Sequence, residues 1–374
     1  MAAAGVLACV TALLAITVPV ATAKPLPPAQ VAGFQTDLDA LVADGPPGAI
    51  LLIRGKGSTV RLTSGVADIA QGTPMRAGDR YRIASLAKSF TSAVVLQLVG
   101  EGKLRLSDTV ERWLPGLVPN GQNITIRQLL SHTSGIFNYE LDPRVFAPYF
   151  AGDLSFYWSP LELIEIAVSH EPLYPPGETP ISTYSNTNYT ILGEIVKAAT
   201  GRPIERQMRN RIFEPLDLDK TTYPLSETTI RGRHAHGYAL LGPPPLIDIT
   251  GFSPSIAGAG GALVSTVDDV ATFYRALLRG RVLRPDLLAA MRTTIPADSD
   301  VESRYGLGIA DYATACGSAW GHSGAFPGYW NYAFTSPDGK RQAVLMVNID
   351  PTSLPATTPP LFYDLLYSAY CSTA

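Results

Sequence analysis

The chain is 374 residues long, 46% hydrophobic and 16% charged, and it has a formal net charge of −3 at pH 7. This apolar fraction supplies a sizeable core, and the length favours one large domain or two interleaved subdomains. The slight negative charge, without any basic block, argues against a nucleic-acid partner.

Residues 1–23 have the composition of a secretory signal peptide. They are almost all apolar or small and end in Ala21-Thr22-Ala23, a cleavage pattern, before Lys24. Cys9 offers a lipoprotein anchor as the alternative, but the apolar run continues beyond it. We therefore expect a secreted protein, extracellular or associated with the cell wall. Its mature domain would cover residues 24–374 without a membrane anchor.

Periodic patterns predict the first elements. Apolar residues at helical spacing between Val31 and Val42 predict a helix that ends at Gly45. Two short runs, 49–54 and 59–64, are joined by a glycine-rich turn and predict a β-hairpin. A third strand at 81–83 leads directly into a helix.

Ser85 and Lys88 lie where this third strand passes into the helix. A helix that begins near Ser85 directs unpaired N–H groups and the positive end of its dipole toward developing negative charge. Lys88 follows three residues later and shares the same face. Since burial favours the neutral amine, the pair has the chemistry of a nucleophile with an adjacent base. The competing interpretation is an ordinary exposed helix start.

The segment from about 104 to 216 consists of helical pieces broken by Pro- and Gly-rich turns, which predicts an inserted helical lobe. Within it, Tyr184 and Asn186 precede a helix that is predicted to start near Thr187. A tyrosine stabilised as phenolate by an ammonium can relay a proton, and Asn186 can accept from Lys88. The competing interpretation is an ordinary helix cap.

Strand patterns return in the C-terminal part. The glycines of 258–261 predict a tight turn rather than a phosphate loop, because no Gly-Lys-Ser/Thr follows them. The remaining predicted elements are a helix at 264–278, strands at 305–310, 319–323, 329–335 and 342–348, and a helix at 361–370.

The predicted fold class is α+β. Strands at both ends of the chain form a mainly antiparallel sheet flanked by helices, and the all-helical lobe is inserted between them. The α/β lobe would cover about 24–103 and 217–374. The cleft between the two lobes is the default site.

His322 lies on a predicted strand among small residues, where a histidine can supply a proton or a hydrogen bond near neutral pH. Beside it, Ser323 and Gly324 are candidate substrate-binding residues, since a glycine lets a substrate backbone pair along the strand edge. Cys316 and Cys371 remain after signal removal, and in an oxidising compartment we expect them to form a disulfide.

Three motifs in this order, Ser85-x-x-Lys88, Tyr184-x-Asn186 and His322-x-Gly324, resemble those of the serine β-lactamase and penicillin-binding-protein superfamily. The second and third are most similar to the serine-type D-Ala-D-Ala carboxypeptidase branch, which also holds class C β-lactamases, D-stereospecific peptidases and esterases. Similar flanking stretches occur at 129–135, 175–177 and 260–266.

The resemblance implies that Ser85 is the acylated nucleophile, with Lys88 and Tyr184 sharing the base role. Asn186 would position the substrate amide, and His322 would assist proton transfer or anchor a carboxylate. The reaction would be hydrolysis of an amide or ester through an acyl-enzyme.

The resemblance also implies an oxyanion hole formed by the backbone N–H groups of Ser85 and Ala325, and no metal or cofactor. His132 is predicted to be structural. His234 and His236 lack the Cys, Asp or Glu cluster that would complete a metal site.

The expected activity is that of an exported D-Ala-D-Ala carboxypeptidase or related D-stereospecific peptidase that binds β-lactams. The family places a cation near the third motif for the substrate carboxylate, yet no Lys or Arg occurs between Arg304 and Lys340. Carboxylate recognition would fall to His322, to Ser323 or to a basic residue from another segment, such as Arg231 or Arg233. This favours a D-aminopeptidase, an endopeptidase or an esterase over a carboxypeptidase. A class C-like β-lactamase and an idle homologue that binds peptidoglycan or β-lactams are the alternatives. The oligomeric state stays open.

Overall fold

The computed structural model describes residues 1, 25–55, 57–298 and 304–373. Apart from Met1, the predicted signal peptide lies outside the described residues. The described strands are β1 (Gly48–Gly55), β2 (Ser58–Asp68), β3 (Thr73–Pro74), β4 (Tyr81–Arg82), β5 (Tyr238–Ala239), β6 (Ile247–Asp248), β7 (Val264–Ser265), β8 (Ile295–Pro296), β9 (Arg304–Tyr305), β10 (Ala310–Thr314), β11 (Gly317–Phe326), β12 (Tyr329–Thr335) and β13 (Gln342–Val347). The described α-helices are α1 (Pro28–Ala43), α2 (Ala87–Gly100), α3 (Val110–Trp113), α4 (Ile126–Leu130), α5 (Pro143–Phe150), α6 (Pro160–Val168), α7 (Asn186–Thr200), α8 (Ile204–Met208), α9 (Gly258–Gly261), α10 (Val267–Leu278), α11 (Pro285–Met291) and α12 (Thr358–Cys371).

Nine of these strands form one sheet in the order β3-β2-β1-β13-β12-β11-β10-β9-β8, and every neighbouring pair is antiparallel. The N-terminal hairpin joins the C-terminal strands through β1 and β13, with Ile53 opposite Ala343. The short strands β4 and β7 pair with each other, as do β5 and β6. The predicted α+β class is confirmed.

Both faces of this sheet are covered. Along β1, Ile50 and Leu52 belong to a core that includes side chains of α2 and α10, whereas Leu51 and Ile53 belong to a second core with α1 and α12. Successive side chains of a strand point to opposite faces, so a strand buried on both sides is apolar without interruption. The continuous apolar run of β1 thus places it at the centre of a three-layer structure.

Between residues 104 and 216 the described elements are helices, among them α3 to α8. Capping boxes at Thr125 and Ser159 start α4 and α6 and satisfy free N–H groups of their first turns. The buried helix α7 packs against α2, α4, α6 and α9. It begins at Asn186, so the second sequence motif lies at the N-terminal end of a buried helix.

One predicted helix start is wrong. The helix expected from Val264 begins at Val267, because Val264 and Ser265 form β7 opposite β4. Thr266 has extended backbone and accepts a hydrogen bond from the N–H of Asp269, which makes it the N-cap of α10.

The strand predicted at 305–310 is also wrong, because it is two strands, β9 and β10. A glycine-containing turn separates them, and Gly308 has a φ of +80°, which lies in the left-handed region and ends the extended run. The glycines at 258–261, predicted as a tight turn, form the single helical turn α9.

Cys316 and Cys371 form a disulfide, as the sequence predicted. The bridge joins the hairpin of β10 and β11 to the end of α12, on the face of the sheet that packs against α1. Among the described residues, no helix combines the length and the apolar composition that crossing a membrane requires.

Candidate active site

Ser85 lies in a short 3₁₀ turn, Ala84–Leu86, that connects β4 to α2. Ala84 is buried and has a φ of +52°, a left-handed conformation that costs a non-glycine residue about 1 kcal/mol or more. Surrounding packing must therefore hold this turn in place, as it often does at functional sites. The consequence is a half-buried Ser85 at the start of a buried helix.

Lys88 is fully buried and its ammonium group reaches three oxygen atoms. Its Nζ donates to Ser85 Oγ at 3.0 Å, to Asn186 Oδ1 at 2.5 Å and to the Gly260 carbonyl at 3.1 Å. A buried charge persists where several such bonds replace its hydration. The predicted contact between Asn186 and Lys88 is therefore present.

Tyr184 donates from Oη to Ser85 Oγ at 2.7 Å, and the Lys88 ammonium lies 4.7 Å from the centre of its ring. Ser85 Oγ thus accepts from two groups at once. Either group can take the serine proton once it has lost its own, and the nearby ammonium favours the phenolate. This geometry fits the predicted sharing of the base role.

The ring of the buried His132 packs against the ring of Tyr184. Its ring centre is 4.6 Å from that of Tyr184 and 5.0 Å from that of Tyr305. Its Nδ1 accepts from the Ser185 N–H at 3.2 Å and lies 3.1 Å from Asn188 Nδ2, which places the proton of the neutral ring on Nε2. These contacts hold the backbone and the tyrosine of the second motif in place, in agreement with the structural role predicted for His132.

We expect the buried His132 to make folding stability depend on pH. Burial first, then the charges of Lys88 and His322, hold the pKa of His132 well below its ordinary 6.5. Below about pH 6.5 the unfolded chain binds a proton here that the folded chain does not, so stability falls by up to about 1.4 kcal/mol per pH unit. Asparagine tolerates the φ of +57° at this position, and His132→Asn should remove that component.

Urea unfolding of both proteins between about pH 7.5 and about pH 5.5 measures this difference. Wild type should lose more stability than His132→Asn over that range, since all other titrating groups are shared. Parallel curves would show that His132 is protonated in the folded state.

His322 is fully buried on β11. Its Nδ1 lies 2.6 Å from the Ser323 carbonyl and its Nε2 lies 2.9 Å from Tyr305 Oη. A carbonyl only accepts, so Nδ1 carries a proton, and in the neutral ring Nε2 accepts from the Tyr305 hydroxyl. The His322 ring centre lies 6.5 Å from that of Tyr184. A role in anchoring a substrate carboxylate stays a prediction.

Gly324 brings β11 against the backbone that precedes Ser85. A Cβ at this position would lie 2.7 Å from the Ile83 carbonyl oxygen, so the protein's own packing requires the glycine. Beyond His322, β11 pairs with β12 on one side, and its other edge is not paired with β10. Ala325 on this stretch is exposed and lines the same cavity as Ser85, where the two backbone N–H groups were predicted to form an oxyanion hole.

A cavity of about 1060 Å³ opens at Ser85, Asn186 and Ala325. Its walls come mainly from α5, from the segment that carries β5 and β6, and from the loops after β11 and β13. Most of the lining is apolar or aromatic, including Phe146, Tyr149, Leu241, Phe252 and Phe326.

Glu140, which belongs to none of the sequence motifs, also lines this cavity. Burial raises the pKa of its carboxyl group, while the Lys88 charge and a hydrogen bond from Asn186 oppose that rise. Glu140 is therefore connected to Ser85 through Asn186 and Lys88. It follows a buried tyrosine in a 3₁₀ turn, Tyr139–Leu141, where no sequence pattern distinguishes it from a surface glutamate.

Several candidates lie apart from this site. Arg231 pairs with Glu227, Arg233 pairs with Asp79, and neither arginine lines the cavity. The rings of His234 and His236 stack on each other at 4.9 Å. In the part of the chain that the structure describes, no cluster of three or more His, Cys, Asp or Glu side chains is arranged to hold a metal ion.

Comparisons with known proteins agree with this geometry. A family model described as Beta-lactamase matches residues 34–363. Penicillin-binding protein 4 of Amycolatopsis lactamdurans is 31% identical over 335 residues, which are 85% of this chain and 85% of that protein. A crystal structure of a D-stereospecific amidohydrolase from Streptomyces sp. has a TM-score of 0.82 and 36% identity, covering 92% of this chain and 99% of its own. The D-amino acid amidase from Ochrobactrum anthropi SV3, complexed with L-phenylalanine amide, has a TM-score of 0.81 and 28% identity over 91% of this chain and 98% of its own.

Proposed function

As the chain belongs to the β-lactamase family and is a serine hydrolase, we propose that it is an exported amidohydrolase for amides of D-amino acids with a free α-ammonium group. Ser85 attacks the amide carbonyl, the amine departs, and water then hydrolyses the acyl-enzyme. Tyr184 as the phenolate, or Lys88 as the neutral amine, takes the serine proton and returns it to the leaving amine.

The placement of Glu140 carries this proposal. The α-substituents of an amide substrate lie next to the carbonyl that Ser85 attacks. Glu140 is hydrogen-bonded to Asn186, and Lys88 donates to both Asn186 and Ser85, so the Glu140 carboxylate belongs to the same hydrogen-bond network as the nucleophile. A partly desolvated carboxylate is stabilised when a cation reaches it. An α-ammonium group supplies that cation, and the contact also orients the substrate carbonyl toward Ser85.

The charge of the cavity points in the same direction. Its lining includes the carboxylates Glu140 and Asp350, and Asp142, which is paired with Arg144; no Lys or Arg side chain is among the described lining residues. A free substrate carboxylate would meet repulsion here, whereas an ammonium group is attracted. This makes the D-Ala-D-Ala carboxypeptidase expected from the sequence the less favoured proposal.

The walls of the cavity fit an apolar substrate side chain. Phe146, Phe252 and Phe326 present aromatic surface to it, and burying one large apolar side chain contributes about 2 kcal/mol of binding. The similar structures, a D-stereospecific amidohydrolase and a D-amino acid amidase complexed with L-phenylalanine amide, support an aromatic amino acid amide as the first substrate to assay. The D preference is part of the proposal.

We expect Glu140→Gln to lower kcat/KM for D-phenylalanine amide by about 10- to 100-fold, which corresponds to the loss of one charge-assisted hydrogen bond. N-acetyl-D-phenylalanine amide has no ammonium group, so its slow hydrolysis should be nearly the same in both proteins. Steady-state kinetics with both amides measures this difference. The matched control is Glu165→Gln, at an exposed position on α6.

Two results would contradict the proposal. An equal loss on both amides would mean that Glu140 only supports the structure of the site. A wild-type enzyme that prefers N-acylated amides, or the L enantiomer, would exclude the substrate class.

A further inference from the structure

We propose that a second concave site, separate from the Ser85 cavity, binds a phosphate group. This arginine pocket has a volume of about 480 Å³ and is lined by Arg54, Arg275, Arg279 and Arg281 together with the hydroxyl-bearing residues Thr59 and Thr272. It shares no lining residue with the Ser85 cavity.

Arg54 forms the rigid wall of the arginine pocket. Its side chain is 14% exposed, its Nε donates to Thr59 Oγ1 at 3.1 Å, and its Nη1 donates to Gln342 Oε1 at 3.0 Å. These bonds hold the planar guanidinium in one orientation. A cation fixed in this way loses little side-chain entropy when it binds an anion.

Positive charge in the arginine pocket is only partly balanced by the protein's own acids. Asp268 forms a two-point ion pair with Arg61 and lies 3.8 Å from Arg54, and Asp217 is the acid that lines the pocket. Arg275, Arg279 and Arg281 form no ion pair within the described residues. A chain with a formal charge of −3 thus gathers four arginines around one concave surface.

The positive charges of these groups also disfavour one another. Burial lowers the pKa of Arg275, and the charges of Arg279 and Arg281 lower it further. Burial is also the first cause of the lowered pKa of Arg54, followed by the charge of Arg275. An anion in the arginine pocket would relieve this repulsion.

The helix dipole explains part of the cluster but not all of it. Arg275 lies in the last turn of α10 and Arg279 is its C-cap, where cations are favoured. Arg54 comes from β1 and Arg281 lies beyond the helix end, so neither is placed by that dipole. The four arginines thus reach one pocket from a strand, a helix and a loop. A helix end that merely attracts cations would not gather arginines from the other elements.

A phosphate group suits this chemistry best. Guanidinium groups bind the oxygens of phosphate in a two-point geometry, and neighbouring hydroxyl groups add donors. Both a phosphate ester in solution and a phospholipid headgroup carry this group. The experiment below separates these two sources.

The first arm titrates the full-length mature protein with sodium pyrophosphate and follows binding by calorimetry at constant ionic strength. Arg275→Gln at a half-buried position and Arg279→Gln at an exposed one should each weaken binding by about tenfold, which corresponds to the loss of one charge-assisted contact. The control is Arg202→Gln, an exposed arginine outside the pocket. Multivalent anions also act on proteins nonspecifically, by exclusion from their surface. That nonspecific effect should be the same in all variants, so only the difference between variants reports binding in the arginine pocket.

The second arm mixes the protein with phosphatidylcholine vesicles that contain or lack phosphatidylglycerol, and measures co-flotation. If the protein binds pyrophosphate but not the anionic vesicles, the natural ligand is a soluble phosphate ester. If it binds the anionic vesicles and Arg279→Gln weakens that binding, the ligand is a phospholipid headgroup. No binding in either arm, or equal binding by all variants, overturns the proposal. Hydrolysis of D-phenylalanine amide should be unchanged in these variants, so this test is independent of the proposed function.

Discussion

Replacing Ser85 with alanine should lower the proposed hydrolysis of D-phenylalanine amide by about 10⁴-fold or more, which is the usual cost of removing a nucleophile. Its Oγ is the atom that both Lys88 and Tyr184 contact. The melting temperature should shift by a few degrees at most, because the side chain is half-buried at a cavity where water can replace the hydroxyl. Steady-state kinetics and thermal unfolding measure the two effects.

Ser89→Ala is the matched control, one turn further along α2. Its hydroxyl is buried, donates to the Gly308 carbonyl at 2.6 Å and accepts from Tyr274 Oη at 3.0 Å. This variant should lose about 1–2 kcal/mol of stability and keep its turnover. If Ser85→Ala retained turnover above the background rate, another residue would be the nucleophile.

Removing the disulfide should have the largest effect on stability. Cys316 and Cys371 are 55 residues apart, and closing a loop of that length restricts the unfolded chain by about 4 kcal/mol in the chain-entropy description. The double variant Cys316→Ala, Cys371→Ala should lose about that much free energy of unfolding. Urea denaturation of the variant, and of reduced wild type, measures it.

Activity should respond differently from stability. The bridge lies with α1 and α12 on one face of the sheet, whereas α2 and its Ser85 end pack on the other. Turnover by the double variant should therefore equal that of wild type at temperatures where both are folded. An unchanged urea midpoint would show that the bridge does not restrict the unfolded chain, and a loss of turnover in folded protein would show coupling across the sheet.

The elements that the sequence predicted well are those with a long apolar or periodic pattern. Apolar residues at helical spacing identify α1, and nearly continuous apolar runs identify β1, β12 and β13. Strands of two residues, such as β5 and β6, carry no period and were missed. The wrong start of α10 has the same origin, since Val264 fits a helix or a strand equally well until its partner β4 is known.

The residues of the candidate site also differ in how far the sequence could predict them. The motif spacing placed Ser85 and Lys88 on one helix, and the structure brings Tyr184 and Asn186 into contact with them. Glu140 could not be predicted, because its environment is made by residues distant in the sequence. Gly324 has a packing role that the sequence did not indicate, because a Cβ there would meet the backbone at Ile83. Its role in pairing with a substrate stays a prediction.

Pairing of β1 with β13 has a consequence for how the protein is made. Arg54 and Gln342, which contact each other across these two strands, are 288 residues apart in sequence. Contacts between such distant residues form slowly, since the entropy of closing the loop must be lost before the pairing stabilises it. The sheet, and with it the strand that carries Ala325, therefore cannot be completed until nearly the whole chain is available. Since β11 and its neighbours β12 and β13 all lie near the C-terminal end of the chain, we expect the Ser85 site to be completed only after β13 has been synthesised.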